Sequence, residues 1–126
     1  MSLSRYRVSA QIAVSDMAKA QEFYEVKLGL FPRGDQHDGS RTYACGDGAS
    51  LYVYESPAHA GKATATVARW DVDDIEQVLD ELTANGVTIE QYDEPVKTDE
   101  RGIHDSGYGK VAWFKDPDGN TFALEG

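Results

Sequence analysis

The second half of this chain repeats the first, and that constrains its fold more than any single motif. "AVSDMAKAQEFY" (13–24) can be laid over "DVDDIEQVLDEL" (71–82), with Asp16 on Asp74. "GDGASLYVY" (46–54) can be laid over "PDGNTFAL" (117–124), with Gly48 on Gly119. Self-similarity at this spacing means one supersecondary unit used twice.

The periodicities say what the unit is. Val8, Ala10, Ile12 and Val14 alternate with Ser9, Gln11 and Ala13, which predicts a strand with one wholly apolar face. From Ser15 the period changes. Met17, Ala20, Phe23, Tyr24 and Leu28 fall on one helical stripe, Ser15 or Asp16 is placed to cap it, and Gly29 to stop it. Two strands follow, Arg41 to Cys45 and Ser50 to Glu55, joined by the turn "GDGA". In the second half, Ala65 to Val72 is a predicted strand and the segment from Asp73 a helix. Ile75, Val78, Leu79 and Leu82 form its buried stripe, and Asn85-Gly86 closes it. Val87 to Tyr92 reads as a strand, 93–109 as a polar loop, and 111–124 as a hairpin turning at "DPDGN". The predicted order is β-α-β-β-β, twice. Module one covers about 5–58 and module two about 62–124, within a single domain spanning 1–126.

Composition excludes several classes. Asp plus Glu total 22 against 12 Lys plus Arg, a net charge of −10, the wrong sign for a general nucleic-acid or anionic-membrane surface. No run approaches the roughly 18 apolar residues of a membrane span. No signal peptide is read at the start, and the single cysteine, Cys45, forms no intrachain disulfide framework. A reducing cytoplasm is the expected location. "MSL" (1–3) and "EG" (125–126) resemble residues left by an expression vector, which bears on whether Glu125 is native.

"VSDMAKAQEFYEVKLGL", "VDDIEQVLDELTANGV" and "FKDPDGNTFAL" together resemble the vicinal oxygen chelate superfamily, which holds glyoxalase I, extradiol dioxygenases and bleomycin- and fosfomycin-resistance proteins. The resemblance implies an α+β fold: two tandem βαβββ modules forming an open, curled mixed sheet around a cleft, with the helices outside. It also implies pairing into a homodimer, which the sheet edges of a small chain would favour. It spans enzymes and pure binders, so it implies no single activity.

Carried over residue by residue, the family's metal-ligand positions fall on Ser9 and Tyr52 in module one and on Val67 and Ala123 in module two. Val and Ala offer no donor, whereas Mg, Mn or Fe sites want carboxylates and imidazoles. A one-residue shift turns each side chain to the opposite face and rescues nothing. His37, His59 and His104 are expected in loops, with no ligand spacing between them. The reading is that no metal and no cofactor is bound.

Strand parity then lists what lines the cleft: Gln11, Tyr52, Tyr54, Arg69 and Trp113, while Trp70 belongs under a helix. Tyrosine and tryptophan suit a small-molecule pocket, and an inward Arg69 needs a carboxylate, a ring or a ligand as partner. The leading expectation is a metal-independent protein that binds or sequesters an aromatic or amphipathic metabolite or antibiotic. The alternatives are a lyase, isomerase or dioxygenase of the same superfamily with a displaced metal site, and a partner module with a filled cleft. Catalytic residues are not identified by the sequence.

Overall fold

The structure, a computed structural model, describes residues 2–34 and 38–126. His37 therefore lies outside the described residues. Module one consists of β1 (Ala10–Val14), α1 (Met17–Gln21), which continues as a π-helical turn over Glu22–Lys27, β2 (Phe31–Pro32), β3 (Arg41–Ala44) and β4 (Ser50–Glu55). Module two consists of β5 (Thr66–Asp71), α2 (Ile75–Ala84), β6 (His104–Asp105), β7 (Lys110–Lys115) and β8 (Thr121–Glu125). The strands form two four-stranded sheets, ordered β1-β4-β3-β2 and β5-β8-β7-β6. In each, one parallel pair is followed by antiparallel pairs. β1 and β5 lie beside one another, and no barrel closes.

The repeat aligned on Asp16 and Asp74 is physical. Asp16 accepts from the amides of Ala18 and Lys19, and Asp74 from that of Gln77, so the two aspartates cap the two helices alike. The register repeats as well. Gln11 faces Tyr52 across β1 and β4, and Arg69 faces Ala123 across β5 and β8, equivalent rungs of the two modules.

The edge of module two departs from expectation. Val87–Tyr92 is not a strand: its backbone meets β7 through an isolated bridge, Ile89 to Phe114, and a hydrogen bond from the Glu90 amide to the Trp113 carbonyl, while its ends bond elsewhere, Val87 to Leu82 and Tyr92 to Thr98. The chain at 99–103 crosses here, with Gly102 so close to Ile89 and Glu90 that a Cβ would meet the Glu90 carbonyl at 2.7 Å. His104–Asp105 then pairs with β7. In module one the corresponding edge is the two-residue β2, which periodicity does not pick out.

Both helices cover the same side of the sheets. Ile12, Val14, Leu51, Val53, Phe114, Phe122 and Leu124 are buried beneath them, and Trp70 stacks on Phe114 with ring centres 6.0 Å apart. Module one's helix reaches module two's sheet: Phe23 lies 6.3 Å from Phe114, and Tyr24 6.0 Å from Phe122. The core is thus one cluster shared by both modules.

The "DPDGN" turn locks this arrangement. Asp116, 5% exposed, accepts from the Tyr24 hydroxyl at 2.6 Å, from the amides of Asp118 and Asn120 at 2.9 Å, and from Asn120 Nδ2 at 2.8 Å. Asn120 Nδ2 also donates to the Ala13 carbonyl at 2.9 Å, and its Oδ1 accepts from the Gly61 amide at 3.3 Å. Asp118 accepts from the amide and hydroxyl of Ser15. Burial, then the Asp116 carboxylate, pushes the Tyr24 phenol far above its ordinary value.

Replacing this centre should be costly. Asp116→Ala strands the Tyr24 hydroxyl and the Asn120 amide without a partner and is expected to destabilise by about 3 kcal/mol or more in urea denaturation, while Tyr24→Phe, which leaves no orphaned donor, should cost about half as much. The raised phenol contributes stability fully present below about pH 10, where the unfolded tyrosine begins to ionise, and lost progressively above it. Between about pH 8 and pH 11 the wild type should therefore lose stability more steeply than Tyr24→Phe; equal slopes would contradict the assignment.

Candidate functional site

The face of the sheets turned away from the helices is built by alternation. On module one's sheet it carries Gln11, Tyr52 and Tyr54, and on module two's sheet Arg69, Ala123, Trp113 and Glu125. Equivalent rungs run Thr42–Tyr52–Gln11 and Trp113–Ala123–Arg69. The expected Gln11, Tyr52, Tyr54, Arg69 and Trp113 thus occupy one side of the eight strands, while Trp70 belongs to the opposite, helix-covered side.

The aromatic side chains are arranged in pairs. Tyr52 and Tyr54 stack, with centroids 5.8 Å apart and planes 23° from parallel. Both are half-buried. The Tyr52 hydroxyl reaches Asp38 Oδ2 at 3.5 Å. On the other sheet Trp113 meets Tyr92 edge to face at 5.6 Å. Tyr92 comes from the segment beside β7, and sequence reasoning missed it because it placed that residue in a strand rather than folded against Trp113.

Arg69 is 52% exposed at its side chain, and its partners are carboxylates of its own module. Nε is 3.0 Å from Asp71 Oδ1, and Nη1 donates to Glu125 Oε2 at 2.9 Å. Asp71 and Glu125 are register partners two positions along, the next pair on the same face, which is why a single guanidinium spans both. Among the described residues the guanidinium pairs with these two carboxylates rather than with the rings of Tyr52 and Tyr54. At this exposure the pairs fix geometry more than they stabilise.

Two cavities meet at Arg69. One, of about 380 Å³, is lined by Thr66, Val67, Ala68, Arg69, Val111, Ala123 and Glu125. The other, also about 380 Å³, lies at the seam of β1 and β5, lined by Ser9, Ala10, Cys45, Asp47, Ser50, Arg69 and Asp71 among others. They bring Ser9, Val67 and Ala123 to the walls around Arg69. A seam between strands that only lie beside each other leaves room that a hydrogen-bonded ladder would fill.

The four positions that family metal enzymes use do not fit an ion. Ser9 precedes β1. Val67 sits where the β5–β8 register slips and is 37% exposed, Ala123 is 4% exposed, and Tyr52 turns its hydroxyl toward Asp38. Among the described residues, no group of three or more His, Cys, Asp and Glu could hold a metal ion. His59 bonds Ser56, and His104, in β6 rather than a loop, bonds the Lys97 carbonyl. Burial raises the Cys45 thiol, the opposite of an activated nucleophile.

Comparison with known proteins agrees with this architecture. A glyoxalase/bleomycin resistance protein from Catenulispora acidiphila superposes with a TM-score of 0.69 at 26% identity, over 94% of this chain and 96% of that one. A glyoxalase family protein from Enterococcus faecalis gives 0.72 at 21% identity, over 97% and 98%. TnmS3, described as an antibiotic binding protein from a Streptomyces species, gives 0.66 at 24% identity, over 95% of each chain. No curated protein matches the sequence. The family model for the Glyoxalase/Bleomycin resistance protein/Dioxygenase superfamily matches residues 7–124, both modules from before β1 into β8, and the chain therefore belongs to that superfamily.

Proposed function

We propose that this protein binds a small aromatic or amphipathic molecule, without a metal, on the sheet face that carries Tyr52, Tyr54 and Trp113. The observation that carries the reading is a substitution of chemistry at equivalent points. Where metal enzymes of the superfamily hold donors, this chain has Ser9, Tyr52, Val67 and Ala123. In place of an ion it offers half-buried rings, which give contact area at low entropic cost and carry polar tips to orient a guest. A solved relative described as an antibiotic binding protein supports binding rather than turnover as the role. Two chains pairing through their sheet edges would enclose the face further, and a homodimer is part of the proposal.

Elemental analysis of dialysed, tag-free protein is expected to find far less than one equivalent of Mn, Fe, Ni or Zn. A near-equimolar content would overturn the metal-independent reading in favour of a lyase, isomerase or dioxygenase. In a thermal-shift screen, aromatic compounds should raise the melting temperature and divalent metals should not. Once a ligand is in hand, Tyr52→Ala should weaken it by about tenfold, the scale of one buried ring contact, with melting of the free protein nearly unchanged. Light scattering should give twice the 13.8 kDa chain mass, and a monomer at high concentration would remove the dimer from the proposal.

A further inference from the structure

On the helix side of the sheets, away from the face carrying Tyr52 and Tyr54, lies a pocket of about 210 Å³. Trp70, Phe114 and Leu124, on the helix-side parity of β5, β7 and β8, form its floor. Val78 and Leu82 of α2 wall one side, and Leu28 and Leu30, where the chain leaves module one's helix, wall the other. No lining side chain carries a charge, and the Trp70 indole nitrogen is the one polar side-chain atom among them. Leu28, Leu30, Trp70 and Val78 are only partly buried, so the pocket is reached from solvent.

The backbone holds this space in place. In the π-helical turn the Leu28 amide returns to the Phe23 carbonyl, five residues back, at 2.9 Å, and the Leu30 amide to the Tyr24 carbonyl at 3.0 Å. Asn85 Nδ2 donates to the Lys27 carbonyl at 3.1 Å, tying the end of α2 to the end of that turn. Well-packed interiors leave few voids larger than a water molecule, and this one equals about seven liquid-water volumes. Water finds almost no partner on such walls, and π turns of this kind recur at functional sites. We propose that the pocket is a second binding site, for a small uncharged apolar molecule, a single aromatic ring or an alkyl chain of about six to eight carbons. A charged guest would lose its hydration with nothing to replace it. A partner helix, about 10 Å across, is too wide. The site is independent of the reading above, because it lies on the opposite side of the sheets.

Toluene tests it, with benzoate as its charged counterpart. Trp113→Phe leaves Trp70 as the single tryptophan, and its fluorescence should change saturably with toluene. The melting temperature should rise by about 5 °C at tenfold the Kd, and benzoate should do neither. Val78→Phe, which fills the pocket, should abolish both responses. Leu28→Ala, which enlarges it, should shift preference toward naphthalene by about tenfold. Tyr52→Ala should leave toluene binding unchanged. Absence of a toluene response, equal binding of benzoate, or indifference to both pocket variants would overturn the proposal. So would loss of toluene binding in Tyr52→Ala, which would place the guest on the cleft face. Dissociation of a dimer by Val78→Phe would make a second copy the occupant and overturn it too. If Val78→Phe does not fold, the guest preference of Leu28→Ala decides.

Discussion

Asp116 is a carboxylate with almost no access to water and, among the described residues, no cation paired with it. Its charge is met by four donors, the Tyr24 hydroxyl, two turn amides and the Asn120 side chain. A buried charge left unpaired is expensive, so the donors must all be in place at once. That requirement fixes the turn, and the turn fixes Asn120, whose amide group reaches the β1 carbonyl of Ala13 and the linker amide of Gly61. A single polar centre in module two thereby holds the strand, the helix and the exit loop of module one. The aromatic packing of Phe23 and Tyr24 on Phe114 and Phe122 is non-directional; the Asp116 network gives it one register.

The duplication does not reproduce this lock at the other end of the seam. By the same alignment Cys45, Asp47 and Ala49 stand where Asp116, Asp118 and Asn120 stand in module two. Ser15, which donates to Asp118, corresponds to Asp73, so the mirrored contact would oppose two carboxylates. The module-one turn instead folds on itself through a 3-10 turn, with Asp47 at φ 55° and Gly48 at φ 78°. Cys45, Asp47 and Ala49 line the seam cavity that ends at Arg69. One end of the seam is tied and the other is open, and the opening follows from three residues that cannot make the tie.

Much of this was legible in the sequence, because alternation and helical period report directly on which side chains share a face. The cap residues, the helix stripes, the place of Trp70 and the parity of Tyr52, Tyr54 and Arg69 all followed from spacing. The edge of module two did not. Val87–Tyr92 has strand composition, but its fate was decided by residues 99–103 crossing over it, a contact between distant segments that no local pattern encodes. The π-helical turn at Glu22–Lys27 was hidden for a related reason: Phe23 and Tyr24 keep helical spacing whether the backbone winds as α or π. Arg69 was read as needing a partner, which is right in kind. Which partner it finds depends on Glu125 of β8 coming within reach of β5, a consequence of register rather than of sequence proximity.

The two equivalent rungs show how one scaffold changes its chemistry. Thr42–Tyr52–Gln11 and Trp113–Ala123–Arg69 occupy the same geometry. Each holds one large ring, but on different strands: β4 in module one, β7 in module two. The ring of one rung therefore does not face its own equivalent, and the small residue Ala123 leaves the space beside Arg69 that the cavity fills. A metal centre asks for the opposite arrangement, donors converging from equivalent positions at short fixed distances. Large and small residues alternate out of step between the modules, so equivalent positions of the two rungs do not present one converging set of side chains.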